Sequence, residues 1–428
     1  MIFNKREELK YKSIKGTKDI LPDESHIWIE VENRIRKVMH TYNYKEIRTP
    51  IFEETKLFAR GIGEFTDIVG KEMYTFTDRG GDSLTLKPEV TASVIRAYIQ
   101  HNLGEKQPLT KVYYISPAFR QERPQAGRLR QFHQFGAEAI GSKNPAVDAE
   151  IISLAANIYE SFGIRDFVIK INSVGCEICR NEYKNILKKF LIDISNKLSP
   201  ESQKRIDVNP MRVLDSKDEN DRIATKSAPL ILNYLCNDCK THFAQLQDLL
   251  SFMNVTFEVD GRIVRGLDYY TKTAFEIIST ELGSQDALAG GGRYDLLVKE
   301  LGGKDTPAVG FAAGLERLLM VLQKQNQDKF QAPRPKVFIA YADKSCEKII
   351  LNLAQKLRAK GVPCEIDLLN RSLKSQMREA DRQNSDFVIV VGENEVKSNR
   401  LNIKNMKTGK VEEIDLGNLE NYFLSSNG

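Results

Sequence analysis

Four arginines, Arg120, Arg123, Arg128 and Arg130, crowd into the stretch "FRQERPQAGRLRQ". Solvated cations gain nothing from such crowding, whereas the planar fork of a guanidinium suits bidentate contact with phosphate. The stretch therefore predicts a site for a polyphosphate. Directly after it, "QFHQFGAEAIG" alternates as a strand does. Phe132, Gln134, Gly136, Glu138 and Ile140 share one face, and His133, Phe135, Ala137 and Ala139 the other. The second face suits a core. The first sets an aromatic ring, an amide and a carboxylate in a row, with a glycine leaving space between them. That is a floor for a small polar ligand beside a flat base. In "LTLKPEVTAS", Lys87, Glu89 and Thr91 alternate with their neighbours, so a second carboxylate and a hydroxyl are expected to point one way at a strand end. Two carboxylates facing one cavity can hold a ligand that carries an amine and a further hydrogen-bond donor. Each residue alone would pass for a solvated side chain; together they predict a site. Neither a G-x-x-x-x-G-K-[ST] loop nor a G-x-G-x-x-G between strand and helix occurs, so a nucleotide site here is neither a P-loop nor a Rossmann site.

Elements of several kinds must position these groups. "GTKDILPDES" reads as a loop leading into a helix, with Ser25 as its N-cap and Trp28, Val31, Ile35 and Val38 at helical spacing. "EMYTFTDRGGDSLTLKPEV" reads as a hairpin around a Gly-Gly turn, and "KVYYISPAFR" pairs with "QFHQFGAEAIG" across the arginine loop. "TASVIRAYIQH" and "DAEIISLAANIYESFGI" read as helices. Later, "GRIVRGLDYYTKTAFEIIST" reads as strand, the glycines of "ALAGGGRYDLL" as a loop, and "AVGFAAGLERLLMVLQ" as a helix. Hairpins with interspersed helices predict an antiparallel sheet, an α+β class. Changes of texture suggest a first core segment at 1–171, an insertion of charged helices at 172–258, and a second core segment at 259–327. A linker at 328–335 and a separate α/β domain at 336–428 would follow.

A length of 428 residues suits two or three domains, and 41% hydrophobic with 28% charged residues is the composition of a globular chain. The net charge of +5 names no partner. No secretory h-region and no apolar run of about 18 residues is present, so a membrane is not expected. Six cysteines in a chain this long are not a disulfide framework, and a reducing cytoplasm is the expected compartment. Four of them form two Cys-x-x-Cys pairs inside the insertion, Cys176 with Cys179 and Cys236 with Cys239. Four thiolates can close a tetrahedral structural zinc site, although the gap between the pairs is not a standard finger spacing. Two unmetallated reduced pairs are the other reading. Cys346 and Cys364 read as core residues.

Taken with their order along the chain, the motifs resemble those of bacterial-type histidyl-tRNA synthetases, a family of class II aminoacyl-tRNA synthetases. "KEIRTPIFEETKLFARGIGE" resembles motif 1, "FRQERPQAGRLRQFHQFG" motif 2, and "AVGFAAGLERL" motif 3 with its arginine at Arg317. "RGLDYYTKTAFE" and "ALAGGGRYD" resemble the two signatures peculiar to the histidine enzymes. The resemblance runs from "GTKDILP" into the C-terminal domain. It implies a six-stranded antiparallel catalytic core, an inserted helical subdomain, a C-terminal α/β anticodon-binding domain, and a homodimer built on motif 1. The activity it implies is adenylation of L-histidine by ATP with Mg²⁺, followed by transfer to the 3′ end of histidine tRNA.

The same resemblance implies roles for particular residues. Glu89, Thr91 and Gln134 would hold the α-ammonium of histidine; Glu138 and Tyr270 would address the imidazole, with Tyr269 lining the pocket. Arg120 would bridge the amino-acid carboxylate and the α-phosphate of ATP. Arg128 and Arg317 would grip the terminal phosphates, Glu122 would contact the nucleotide, and Phe132 would stack on adenine. Arg265 would approach the α-phosphate from the far side. Val90 stands where the family often has Gly and is expected to turn into the core. A silent relative that regulates ATP phosphoribosyltransferase shares the fold, but it generally lacks the C-terminal domain and degrades the histidine signatures that are intact in this sequence.

Overall fold

The computed structural model describes residues 11–62, 68–125, 127–214, 216, 218–263, 269–279, 287–325 and 330–425. It divides into two compact units, residues 1–330 and 331–428. In the first, the strands in chain order are β1 (Lys45–Glu46), β2 (Phe52–Glu54), β3 (Tyr74–Thr77), β4 (Ser83–Leu86), β5 (Thr110–Phe119) and β6 (Gln131–Ile140). They continue with β7 (Phe167–Ser173), β8 (Glu258–Val259), β9 (Thr271–Ser279), β10 (Ala287–Arg293) and β11 (Ala308–Gly314). Among the described residues the main sheet has the order β1-β5-β6-β11-β10-β9-β7-β8. Its six inner strands pair antiparallel throughout, and a two-residue parallel strand lies at each edge. The other sheet of this unit, β2-β4-β3, is small and antiparallel.

The core lies on one face of the main sheet. Phe135, Ala137 and Ala139 of β6 turn onto it, as their alternation requires. There they meet Trp28, Val31, Ile35 and Met39 of the helix Pro22–Thr41 and Ile151, Leu154 and Ile158 of the helix Pro145–Ser161. Burial of each larger side chain contributes roughly 1.5–3 kcal/mol, so this helix layer fixes the sheet; a second cluster around Val94, Tyr114 and Leu297 packs apart from it.

Four local expectations give way. The first helix starts at Pro22 rather than after Ser25: proline is pre-organised for the first helical position, and Asp23 and Glu24 complement the helix dipole there. The glycine run Ala287–Arg293 is not a loop but the inner strand β10. Residues 308–314 of "AVGFAAGLERLLMVLQ" are likewise a strand, β11, and only Leu315–Lys324 is helix. Close approach is the reason: a Cβ at Gly291 or Gly292 would overlap a carbonyl of the neighbouring strand. Glu89 and Thr91, finally, do not alternate on a strand. β4 ends at Leu86, and Thr91 opens the helix Thr91–Gln100.

Helices Glu177–Asp193, Pro200–Val208, Glu219–Ala224 and Asn237–Phe252 follow β7 and share a separate core around Tyr183, Leu187, Leu191 and Leu235. Within it the buried Asp221 accepts hydroxyl bonds from Ser199, Ser202 and Ser216 at 2.8, 2.5 and 2.6 Å. The last of these helices faces two ways: Cys239 enters the separate core, while Phe243, Leu246 and Leu250 enter the main one.

In the second unit β12 (Val337–Tyr341), β13 (Cys364–Ile366), β14 (Phe387–Val391), β15 (Arg400–Asn405) and β16 (Val411–Asp415) form the sheet β13-β12-β14-β15-β16. Its first three strands are parallel, as their connection through the helices Glu347–Ala359 and Leu373–Arg382 demands. Cys346 is buried in its core, and Cys364 is half-buried against it. Among the described residues no helix is long and apolar enough to cross a membrane.

Candidate active site

β6 supplies the floor. Phe132, Gln134 and Glu138 face a cleft enclosing about 1050 Å³, part of it open to solvent. Gln134 is buried there, and its Oε1 has no hydrogen-bond partner among the described residues. A buried acceptor left in this way favours a donor-bearing ligand. The space over Gly136 is not empty, as alternation alone suggests. Tyr114 of β5 lies opposite it in register, and a Cβ at Gly136 would overlap the Tyr114 hydroxyl. Gly310 of β11 lies opposite Glu138, where a Cβ would overlap Oε2. Two glycines thus make room for one carboxylate and the phenol beside it.

That carboxylate is fully buried and anchored by hydroxyls. Oε1 accepts from Thr91 Oγ1 at 2.7 Å and from Tyr114 at 3.4 Å, and Oε2 accepts from Tyr294. Burial pushes its pKa up to about 8, against the hydroxyl donors that favour the ionised form; the nearby Glu89 adds to the rise. Glu89 reaches the same end of the cleft by a different route. Its carboxylate accepts the Thr91 and Ala92 backbone N–H groups at 2.7 and 2.9 Å, capping the helix Thr91–Gln100. Each of its oxygens keeps a lone pair for another donor. Val90 between them turns into the core, at 1% exposure.

Aromatic walls complete this end. Tyr269 lies 4.8 Å from Tyr270, their rings tilted by 47°, and meets Tyr294 edge-on at 5.5 Å, centroid to centroid. Burial holds the phenols of Tyr114, Tyr269 and Tyr294 well above their usual pKa, so they remain donors. Neither Tyr294 nor Tyr114 stands out in the sequence. Tyr294 follows Arg293, whose guanidinium turns the other way, into a buried tie with Asp148.

The other end is cationic. Arg120 donates Nε to the Pro88 carbonyl at 2.9 Å, and its guanidinium carbon lies 5.4 Å from the centroid of the Phe132 ring. Arg128 pairs with Glu122 at 3.4 Å, and Arg317 donates to the Ala287 carbonyl at 2.5 Å. Burial and the neighbouring Arg128 and Arg120 lower the pKa of Arg317. These guanidiniums are held together against their repulsion, a state that a polyanion relieves. Arg123 is exposed, and Arg130 turns toward the Glu122 carbonyl at 3.5 Å, so two of the four loop arginines line the cleft. Glu316, not expected from sequence, also lines it and ties down His133 at 3.0 Å.

The predicted residues Glu89, Thr91, Arg120, Glu122, Arg128 and Phe132 therefore lie around one cleft with Gln134, Glu138, Tyr269, Tyr270 and Arg317. Arg265 lies outside the described residues. Elsewhere, Cys176, Cys179, Cys236 and Cys239 bring their Sγ atoms within 4.8 Å of one another. Cys176 Sγ is 3.6 Å from that of Cys179 and 3.9 Å from that of Cys236. Sulfurs bound to one tetrahedral zinc at ~2.3 Å stand about 3.8 Å apart. Both pairs open helices, at Glu177 and Asn237. Hydrogen bonding, first of all with the Cys239 backbone, lowers the Cys236 thiol to about 7, whereas burial pushes the thiols of Cys179 and Cys239 up. The donor set fits zinc.

A family described as histidyl-tRNA synthetase matches residues 16–318, and an anticodon binding domain matches residues 336–426. A histidine–tRNA ligase from Caldanaerobacter subterraneus subsp. tengcongensis is 50% identical over 410 residues, 96% of this chain and 98% of that one. The crystal structure of apo S. aureus histidyl-tRNA synthetase superposes with a TM-score of 0.81 at 38% identity, covering 96% of this chain and 99% of that one. A structure from Bacillus halodurans, described as an ATP phosphoribosyltransferase regulatory subunit/histidyl-tRNA synthetase, has a TM-score of 0.63 at 20% identity over 90% of this chain and 99% of that one. That last likeness is one of fold alone.

Proposed function

The chain belongs to the histidyl-tRNA synthetase family, and from that premise we propose how its cleft divides the work. The protein is a histidine–tRNA ligase, an α+β class II enzyme with a C-terminal anticodon-binding domain. It joins L-histidine to ATP, releasing pyrophosphate, and passes the histidyl group to the 3′ end of histidine tRNA.

In our reading the acidic end takes histidine. Glu89 and Gln134 Oε1 accept from the α-ammonium, with the Thr91 hydroxyl alongside. Glu138 and Tyr270 address the two sides of the imidazole, and Tyr269 closes the wall. Tyr114 and Tyr294 hold the Glu138 carboxylate in place. A competing amino acid that cannot bond at Glu138 leaves buried polar groups unpaired, which is the physical source of selectivity. The observation that carries this reading is the pairing of a fully buried Glu138 with an unpartnered buried Gln134 oxygen in the cleft that also holds three guanidiniums.

ATP enters as its magnesium complex at the cationic end. Phe132 stacks on adenine, Glu122 contacts the nucleotide, and Arg128 and Arg317 grip the terminal phosphates. Arg120 spans the histidine carboxylate and the α-phosphate, with Arg265 on the opposite side of that phosphate. A carboxylate oxygen of histidine attacks the α-phosphorus; the bond to the bridging oxygen breaks and pyrophosphate leaves. Positioning and charge neutralisation supply the rate, so no protein nucleophile is required. The terminal ribose hydroxyl of the tRNA then attacks the acyl carbon and AMP departs.

We read 172–258 as an insertion between the core segments 1–171 and 259–327, and 336–428 as the anticodon-binding domain, which a linker at 328–335 joins to the second core segment. A homodimer through motif 1 suits the exposed Ile51, Phe52 and Phe76 on and beside the small sheet. Free thiols suit a reducing cytoplasm, and the four insertion cysteines would hold one structural Zn²⁺. Histidine-dependent ATP–pyrophosphate exchange, followed by charging of histidine tRNA, tests the reading. Exchange that does not depend on histidine would end it, as would a chain that only stimulates ATP phosphoribosyltransferase.

A further inference from the structure

Four contacts run from the two cysteine pairs and their flanks to one short segment of the histidine pocket. Arg180, next to Cys179, donates Nη1 to the Tyr270 carbonyl at 2.8 Å. The Gly175 carbonyl, next to Cys176, accepts from the Lys272 backbone N–H at 2.9 Å, and the Lys272 carbonyl accepts from Val174 N–H at 2.7 Å. Asp238, between Cys236 and Cys239, pairs with Lys272 Nζ at 2.7 Å. Lys272 has φ +48, a left-handed conformation that lysine keeps only where its surroundings hold it. One pair therefore grips this residue by its backbone and the other by its ammonium, and Tyr269 and Tyr270 immediately precede it.

The two pairs meet in the separate core, where Cys179 and Cys239 are buried and Cys176 and Cys236 pack against it. They lie at the starts of separate helices, and their thiols are free. Cys236 N–H donates to Cys179 Sγ at 3.1 Å, which links them weakly. A Zn²⁺ ion bound by all four thiolates would fix both helix starts, and with them Arg180, Gly175 and Asp238, at one spacing. We infer that the four-cysteine zinc centre is a positioning device for the amino-acid pocket: its metal sets the Tyr269–Lys272 segment, and losing the metal weakens histidine binding without weakening ATP binding. This rests on the ligase reading of the cleft. Of the nucleotide-end residues, Arg120 and Arg128 sit on the loop between β5 and β6 and Phe132 on β6, none of which these four contacts touch.

The full chain is used for the test, with Zn²⁺ as the probe. Atomic emission counts zinc per chain, and calorimetry reads histidine affinity in the absence of ATP. Pyrophosphate exchange gives separate KM values for histidine and ATP. The expected result is one zinc per chain. Its removal by a chelator should raise the Kd and KM for histidine about tenfold, with the KM for ATP within about twofold, and added Zn²⁺ should reverse the change. Arg180→Met keeps all four thiolates, so it should retain zinc and still show the selective rise. The inference falls if the chain holds no zinc, if zinc can be removed without changing histidine affinity, or if Arg180→Met binds histidine like wild type. Failure of the ligase reading looks different: zinc would be present, while histidine would neither bind by calorimetry nor support exchange.

Discussion

Replacing Glu138 by glutamine separates its charge from its shape. In the free protein the carboxylate accepts from Thr91, Tyr114 and Tyr294. Hydroxyl groups can rotate to accept as well as donate, so a glutamine amide can rebuild this network and the fold should tolerate the change. The loss falls on the ligand, where a charge-assisted bond to the imidazole becomes an ordinary one. Such a bond contributes roughly 1.5–3 kcal/mol against about 0.5–1.5 kcal/mol for a neutral one; the difference of about 1–1.5 kcal/mol, at about 1.4 kcal/mol per decade, is roughly a five- to tenfold rise in the KM for histidine. The KM for ATP, read in the same exchange assay, should stay within about twofold.

The pH profile sharpens this. The bound pair shares one proton between carboxylate and imidazole. Free histidine loses its ring proton near pH ~6.5, and Glu138 in the free protein loses its own near 8. Between the two values the free partners already carry one proton together, and affinity should be flat. Below about 6.5 they carry two, one must be released, and affinity falls as pH drops. Above 8 they carry none, one must be taken up, and affinity falls as pH rises. The histidine ammonium also titrates on the alkaline side, so the difference between wild type and Glu138→Gln isolates the residue: the variant should lack the fall that sets in near 8. An unchanged histidine KM, or identical alkaline limbs, would remove Glu138 from the imidazole site.

Three further substitutions probe the rest of the cleft. Gly310→Ala sets a methyl against the Glu138 carboxylate and the Ala137 carbonyl; overpacking of about 1–3 kcal/mol should raise the histidine KM about five- to hundredfold, and a wild-type value would mean the strands are not held so closely. Arg317→Ala should raise the KM for ATP about ten- to hundredfold and histidine Kd little, and equal effects on both would contradict the division of the cleft. Arg265→Ala should lower kcat for adenylate formation by about a hundredfold or more; a kcat within a few-fold of wild type in single-turnover measurements would reject its role at the α-phosphate.

Period-two alternation on β6 is enough to group Phe132, Gln134 and Glu138 from sequence alone, because a strand's own geometry decides which side chains share a face. It cannot reveal what stands across from them. Tyr114 fills the space above Gly136 from the next strand, and Gly310 admits the Glu138 carboxylate from the strand on the other side. Those are facts of register, which no single segment contains. Glycine density misleads in "ALAGGGRYD", where small residues serve close strand packing rather than a turn, and Tyr294 is hidden with them. A long aromatic opposite a glycine in a paired strand is the available signal. Alternation groups Glu89 with Thr91 for a wrong local reason: the residue caps a helix, and Pro88 with the helix start breaks the strand pattern there. The cysteines are legible as two pairs, but only the fold brings residues sixty positions apart to 3.9 Å.

Whether one cleft receives histidine at its acidic end and the triphosphate at its guanidinium end decides the proposed division of labour. A crystal structure of the protein with the unreactive alcohol of histidine and Mg-ATP tests this directly. The imidazole should lie between Glu138 and Tyr270, the ammonium against Glu89 and Gln134, and the phosphates along Arg120, Arg128 and Arg317. An imidazole turned toward the arginines, or a nucleotide bound elsewhere on the chain, would contradict it.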